Sequence, residues 1–136
     1  MGIVAEFKKF DAILKNPNWS VSSMSTKNEL VVSLWGYKPL LNWDSKTRTQ
    51  IYKDCIDRWS GNGRNEFKTN LDIAFKKNLN IRAVIVMLNN SADFINILNG
   101  ADASQYPKEF NAKQTWIGVI EKWDGINFEI HFKQDT

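Results

Sequence analysis

One cysteine and one histidine are all that the 136 residues hold of the two side chains most used for metal ligation and nucleophilic catalysis. Cys55 has no partner for an internal disulfide, and no second Cys or His stands near it at zinc-ligand spacing, which excludes disulfide scaffolds and zinc ribbons. With His131 as the sole imidazole, Ser-His-Asp and Cys-His arrangements have one residue through which to run, and nothing in its spacing argues for either. No stretch approaches the roughly 20 apolar residues that cross a bilayer. The first ten residues mix Glu6, Lys8 and Lys9 with single hydrophobes instead of building a signal sequence. A cytoplasmic protein with no membrane partner is expected. Carboxylate-metal nuclease chemistry has its letters in Asp54, Asp57, Glu66 and Lys68 and in Glu121-Lys122. Glu66 and Lys68 fall on a helix, however, and not on the strand that normally displays such a motif. No catalytic residue, metal or cofactor is assigned, and a binding module is expected ahead of an enzyme.

What is present is ordinary for one globular domain spanning residues 1–136: 43% hydrophobic and 24% charged residues, with one core expected. The net charge of +3 is mild, but its distribution is uneven. Residues 38–82 hold ten basic side chains against five acidic ones, while the remainder of the chain is slightly acidic. Such a middle segment fits an electrostatic footprint for phosphate, and equally an ordinary solvated face.

Periodicity organises the chain. Phe7, Phe10, Ile13 and Leu14 recur at helical spacing between Val4 and Lys15 and predict an amphipathic helix ending at Asn16-Pro17-Asn18. Trp19 to Met24 and Leu30 to Trp35 read as a hairpin. Gly36 to Trp59 reads as a long connection with a short strand or helical turn near Gln50-Ile51-Tyr52. After the turn Ser60-Gly61-Asn62-Gly63 a helix is predicted, burying Phe67, Leu71, Ala74 and Phe75 and stopping near Asn78. Ile81 to Leu88 is nearly continuous in apolar character, which predicts a central strand covered on both faces. A short helix with Phe94, Ile95 and Leu98 follows, then a polar loop through Pro107. Asp124-Gly125 joins Trp116–Trp123 to Asn127–Phe132 as a second hairpin, with Phe128, Ile130 and Phe132 facing in. The expected fold class is α+β: a mixed, mainly antiparallel sheet of about five strands with two or three packed helices.

Three groupings carry candidate chemistry. Arg58, Trp59, Gly61, Gly63, Arg64, Asn65 and Lys68 surround a glycine turn that delivers the chain into a helix N-terminus, whose free amides favour an anion. The run lacks the Gly-Lys-Ser/Thr end of a P-loop and the spacing of a dinucleotide fingerprint. It reads either as a phosphate cradle or as a plain tight turn. Of the six tryptophans, Trp43 and Trp59 sit in or beside the irregular basic segment and are candidates for stacking on a base, packing being the alternative. Trp19, Ser20, Ser22 and Trp35, with Asp44, bring aromatic rings next to hydroxyls and a carboxylate. Those are the groups that hold and read an extracted base, and also those of an ordinary hairpin with a polar face.

From Ala12 to Leu88 the chain resembles an uncharacterised bacterial domain family. The shared motifs are Asn-x-x-Trp-Ser at Asn16 to Ser20, Val-Val-x-Leu-Trp at Val31 to Trp35, and Gly-x-Gly-Arg-x-Glu at Gly61 to Glu66. The resemblance implies a component of genome-defence or restriction systems, alone or beside a nuclease partner, that reads modified bases in the manner of PUA-like domains. It transfers no individual functional residue. The leading expectation is a nucleic-acid, specifically DNA, binding module. A protein-interaction or inhibitor module from a phage or defence locus, and a small nucleotide-binding domain, are its rivals.

Overall fold

A computed structural model of the chain describes residues 2–134. Three helices, α1 (Ile3–Lys8), α2 (Gly61–Lys77) and α3 (Phe94–Leu98), accompany eight strands. These are β1 (Ser22–Met24), β2 (Leu30–Trp35), β3 (Leu41–Asp44), β4 (Thr49–Cys55), β5 (Ile81–Leu88), β6 (Lys108–Ala112), β7 (Trp116–Trp123) and β8 (Asn127–Gln134). The sheet runs β1-β2-β5-β7-β8-β4-β3, with β6 also paired to β5. Only β2 and β5 run parallel among the described strands. The class is thus α+β with a mainly antiparallel sheet, and no described helix is long and apolar enough to cross a membrane.

The expectation of about five strands is corrected to eight. β3 and β4 form a hairpin inside the segment read as a connection, and β6 lies in what was read as loop. In β4 only Thr49 and Tyr52 are buried as whole residues, so its pattern carries little alternation. β6 (Lys-Glu-Phe-Asn-Ala) has one large apolar residue and is a strand because the edge of β5 stands beside it. The first helix is shorter than its periodicity predicts. Asp11 takes a left-handed conformation (φ 58°) and Ala12 bridges to Ser25, which leaves Ile13 76% exposed. On α2, Phe67, Leu71 and Ala74 are buried as expected, whereas Phe75 is 41% exposed.

β5 does occupy an internal position with both faces covered. Ile81, Ala83 and Ile85 join Leu30, Val32 and Leu34 of β2 under Phe67, Leu71 and Ala74 of α2. On the opposite face Val84 and Val31 meet Phe7 and Phe10 of α1 and its continuation. Across one edge β5 pairs with β2 from Leu30↔Ile81 to Trp35↔Val86. The other edge is divided: β6 takes Val84 to Leu88, and β7 meets β5 at Ile81↔Gly118. β7 then diverges to pair with β8, whose Phe128, Ile130 and Phe132 point into the core, while His131 faces outward and bonds Glu129 at 2.5 Å.

Gly118 sits at this divergence because a Cβ there would lie 2.5 Å from the Phe132 ring. Overpacking of that kind costs about 1–3 kcal/mol. Gly118→Ala is expected to lower the urea midpoint with an unchanged m value, and an unaltered midpoint would show that Phe132 has room to yield.

Glu6 ties α1 to the sheet. It is 2% exposed, accepts the Ala112 amide at 2.9 Å and faces Lys9 Nζ at 3.1 Å. Burial pushes its carboxyl up, but the Ala112 amide and the Lys9 ammonium outweigh burial and hold it below the ordinary value of 4.5. A depressed folded-state pKa gives stability that is present above the unfolded value and lost as pH falls through the folded one. Acidification between about pH 5 and pH 3 is therefore expected to destabilise the wild type more than Glu6→Gln, measured as unfolding midpoint against pH.

Candidate functional site

β2 and β5, the parallel pair, end side by side at Trp35 and Leu88, and the chain leaving each must turn over the end of the sheet. A crevice outside the carboxyl ends of parallel strands is where ligands collect in open sheets. Here that crevice is a cleft of about 690 Å³. Trp19 reaches it from the turn before β1, Trp35 from the end of β2 and Trp59 from the segment before α2, while the chain from Gly100 to Ala103 closes the far side. Three tryptophans from separate parts of the sequence thus line one cavity.

Two of the rings have a packed side. Trp59 meets Phe67 edge-on with centroids 4.9 Å apart, and Trp35 leans on Phe94 at 5.6 Å. The turn bearing Trp19 is pressed against the start of α2, where a Cβ on Gly63 would come within 2.5 Å of the Trp19 carbonyl oxygen. Only glycine permits that approach.

The polar rim comes from the same helix start. Ser60 is the N-cap of α2 and makes no side-chain capping bond, Gly61 has φ +60°, and the first helical bond described runs from Arg64 N to Ser60 O at 3.3 Å. The first-turn amides carry the partial positive charge of a helix N-terminus. Arg58 lines the cleft with Nε committed to Asp54 Oδ1 at 2.7 Å, and its terminal amino groups make no hydrogen bond among the described residues. Burial lowers the Arg58 pKa, but the Asp54 carboxylate outweighs it and raises it above the ordinary value. Asp54, with its side chain wholly enclosed, also accepts the Tyr52 hydroxyl at 2.8 Å and the Cys55 amide at 2.9 Å. Burial, then the Asp54 charge, push the Tyr52 phenol well above its ordinary range. Tyr52 OH in turn accepts the Trp35 amide at 3.4 Å, so one buried carboxylate positions both an aromatic wall and the arginine of the rim.

The structure brings Trp19, Trp35, Arg58, Trp59 and Gly63 together around the cleft, with Gly61 beside it on the exposed first turn of α2. It does not bring the others there. Arg64 is on the rim helix but bound to Asp57 through Nε at 3.0 Å and Nη2 at 2.8 Å, and Asn65 and Lys68 are exposed on α2. The Ser20 hydroxyl accepts the Asn16 amide at 3.0 Å, and Ser22, fully buried, accepts Asn70 Nδ2 at 2.9 Å. Both hydroxyls are spent inside the fold. Trp43, 56% exposed, and Asp44, which accepts the Lys46 amide, lie on β3 at the opposite margin of the sheet from β1. The basic surplus is dispersed as well. Lys76 and Lys77 end α2, Lys46 and Arg48 lie in the β3–β4 turn, and Arg82 pairs with Glu29 over the Phe10 ring.

Sequence reasoning missed the part of the wall contributed by Ala101, Asp102 and Ala103, because that loop carries no pattern of its own. No group of three His, Cys, Asp or Glu side chains able to hold a metal occurs among the described residues. No protein-family model, curated protein or solved structure matches the chain.

Removing the Tyr52 hydroxyl leaves the buried Asp54 short of a donor, and hydrogen bonds to charged groups contribute about 1.5–3 kcal/mol. Tyr52→Phe is expected to lose stability in that range on urea unfolding and to shift the tryptophan emission of the folded protein. An unchanged spectrum would uncouple the cleft from Asp54.

Proposed function

We propose that this chain is a nucleic-acid-binding module, acting on DNA in a genome-defence setting, whose tryptophan cleft receives a base that has left its stack. The observation that carries this reading is the convergence of Trp19, Trp35 and Trp59 on one cleft at the N-terminal end of α2. Aromatic walls hold a base through its π-face whatever its identity, and proteins that extract a base seat it in such a pocket. The phosphate of the same nucleotide would meet the first-turn amides of α2 and the free amino groups of Arg58. The resemblance of the Asn16 to Ser20, Val31 to Trp35 and Gly61 to Glu66 motifs to a defence-associated, PUA-like family supports the choice of DNA and of a modified base. Those motifs contribute two of the three tryptophans and the glycine against which the Trp19 turn is packed.

A second reading, a free-nucleotide binder, is favoured by one observation. The basic side chains are dispersed, and dispersed charge makes a poor track for a duplex.

Fluorescence anisotropy with short duplexes, unmodified and carrying modified cytosine, separates the two at about 50 mM and about 200 mM salt. A DNA reader is expected to bind with quenching of tryptophan emission, to weaken steeply with salt, and to prefer a modified duplex. Arg58→Ala is expected to reduce the slope of log K against log salt by about one. Quenching by mononucleotides without duplex binding would establish the second reading instead.

A further inference from the structure

Beside the tryptophan cleft lies a smaller cavity of about 270 Å³ that shares Trp19, Trp35, Trp59 and Ala103 with it. Strand register explains its wall: Trp35 pairs with Val86 and Val86 with Phe110, so side chains from β2, β5 and β6 line one face of the sheet beyond the part that α1 covers. Val21 adds to this apolar lining.

Asn18, Ser33, Ser104 and Lys108 interrupt it, and of these Ser104 is committed to Asp102 at 2.8 Å. Ser33, in the interior of β2, is 5% exposed and lines the cavity. Its amide donates to Val21 O at 2.8 Å, but its hydroxyl makes no hydrogen bond among the described residues. A hydroxyl open to a cavity is available to a ligand as donor or acceptor. Lys108, at the start of β6, also lines the cavity. Its Nζ donates to Ala103 O at 2.9 Å and Tyr106 O at 3.2 Å, which leaves one of its three hydrogens uncommitted among the described residues. The two carbonyls hold the ammonium in place, so that last hydrogen has a fixed origin.

We propose that the ring held by the tryptophans is read in this adjoining chamber by Ser33 and Lys108, which select a base bearing an exocyclic carbonyl oxygen over adenine. The inference rests on the base-binding reading of the cleft and deepens it. An ammonium only donates, whereas a hydroxyl donates or accepts. Cytosine, thymine and guanine each carry a carbonyl oxygen that satisfies the lysine. Adenine has no exocyclic oxygen: its exocyclic group is an amino donor, and only ring nitrogens are left to accept. Ser33 completes the match because its hydroxyl adapts to the neighbouring ring nitrogen in either protonation state.

The test uses the full chain and five fluorescein-labelled short duplexes that differ at one unpaired central position, occupied by adenine, cytosine, guanine or thymine or left abasic. The wild type is expected to bind the three carbonyl-bearing probes on the order of tenfold more tightly than the adenine and abasic ones, the effect of one hydrogen bond to a charged donor. Lys108→Met is expected to bring those three down to the adenine level, and Ser33→Ala to weaken the four bases alike toward the abasic level. The wild-type series decides the question even if a variant fails to fold. Equal affinity for all five probes would overturn the selection by Ser33 and Lys108 while leaving nucleic-acid binding intact. Absence of binding to every probe at low salt would remove the base-binding reading and this inference together.

Discussion

The backbone of Ile81–Leu88 needs partners on two edges, and its side chains need cover on two faces. Satisfying both demands organises the molecule. A strand of this length buried away from water must pair its amides and carbonyls, since unpaired buried groups cost more than a made hydrogen bond returns. β2 serves one edge throughout, while the other is divided between β6 and β7. That division makes the sheet splay, and the core of α2 fills the concave side. On the other face α1 covers Val31 and Val84 but not the ends of the strands. The two cavities occupy the ground that α1 leaves uncovered.

A second constraint acts locally. Asp54 is enclosed with its charge, and a buried carboxylate is tolerated only when its oxygens are met by donors. Tyr52, the Cys55 amide and Arg58 provide them. Because the Tyr52 hydroxyl also receives the Trp35 amide, the carboxylate couples strands β2 and β4 to the segment that carries Trp59 into α2. The cleft is held by hydrogen bonds at its base and by aromatic packing at its sides, as a pre-formed binding surface requires.

Strong periodicity made several elements legible. The apolar run of β5, the Phe67-Leu71-Ala74 stripe of α2 and the Asp124-Gly125 hairpin each have local causes that operate before any tertiary contact forms. β4 and β6 were hidden because their pairing energy comes from neighbours distant in sequence, β8 for β4 and β5 for β6, and β3 because its four residues show no alternation of burial. Ile13 and Phe75 fit helical stripes by spacing, yet the left-handed Asp11 redirects one and the margin of the core leaves the other in solvent. The glycine turn and Trp59 were visible as candidates from residue type alone. Lys108 was not, because nothing about a lysine after a proline announces that two carbonyls will immobilise it.

By itself, then, the sequence determined the class of the fold, the internal strand and the residues that begin α2, since each follows from local propensity and from the period of burial. Tertiary structure alone decided which tryptophans share a cavity and which hydroxyls remain free to act. Ser20, Ser22 and Ser33 are chemically alike and close in sequence, but the first two are consumed by Asn16 and Asn70. Ser33 opens into the chamber. Hydrogen-bond partners of that kind are set by strand register and by which face of the sheet a helix covers, and neither is written in any short stretch of residues.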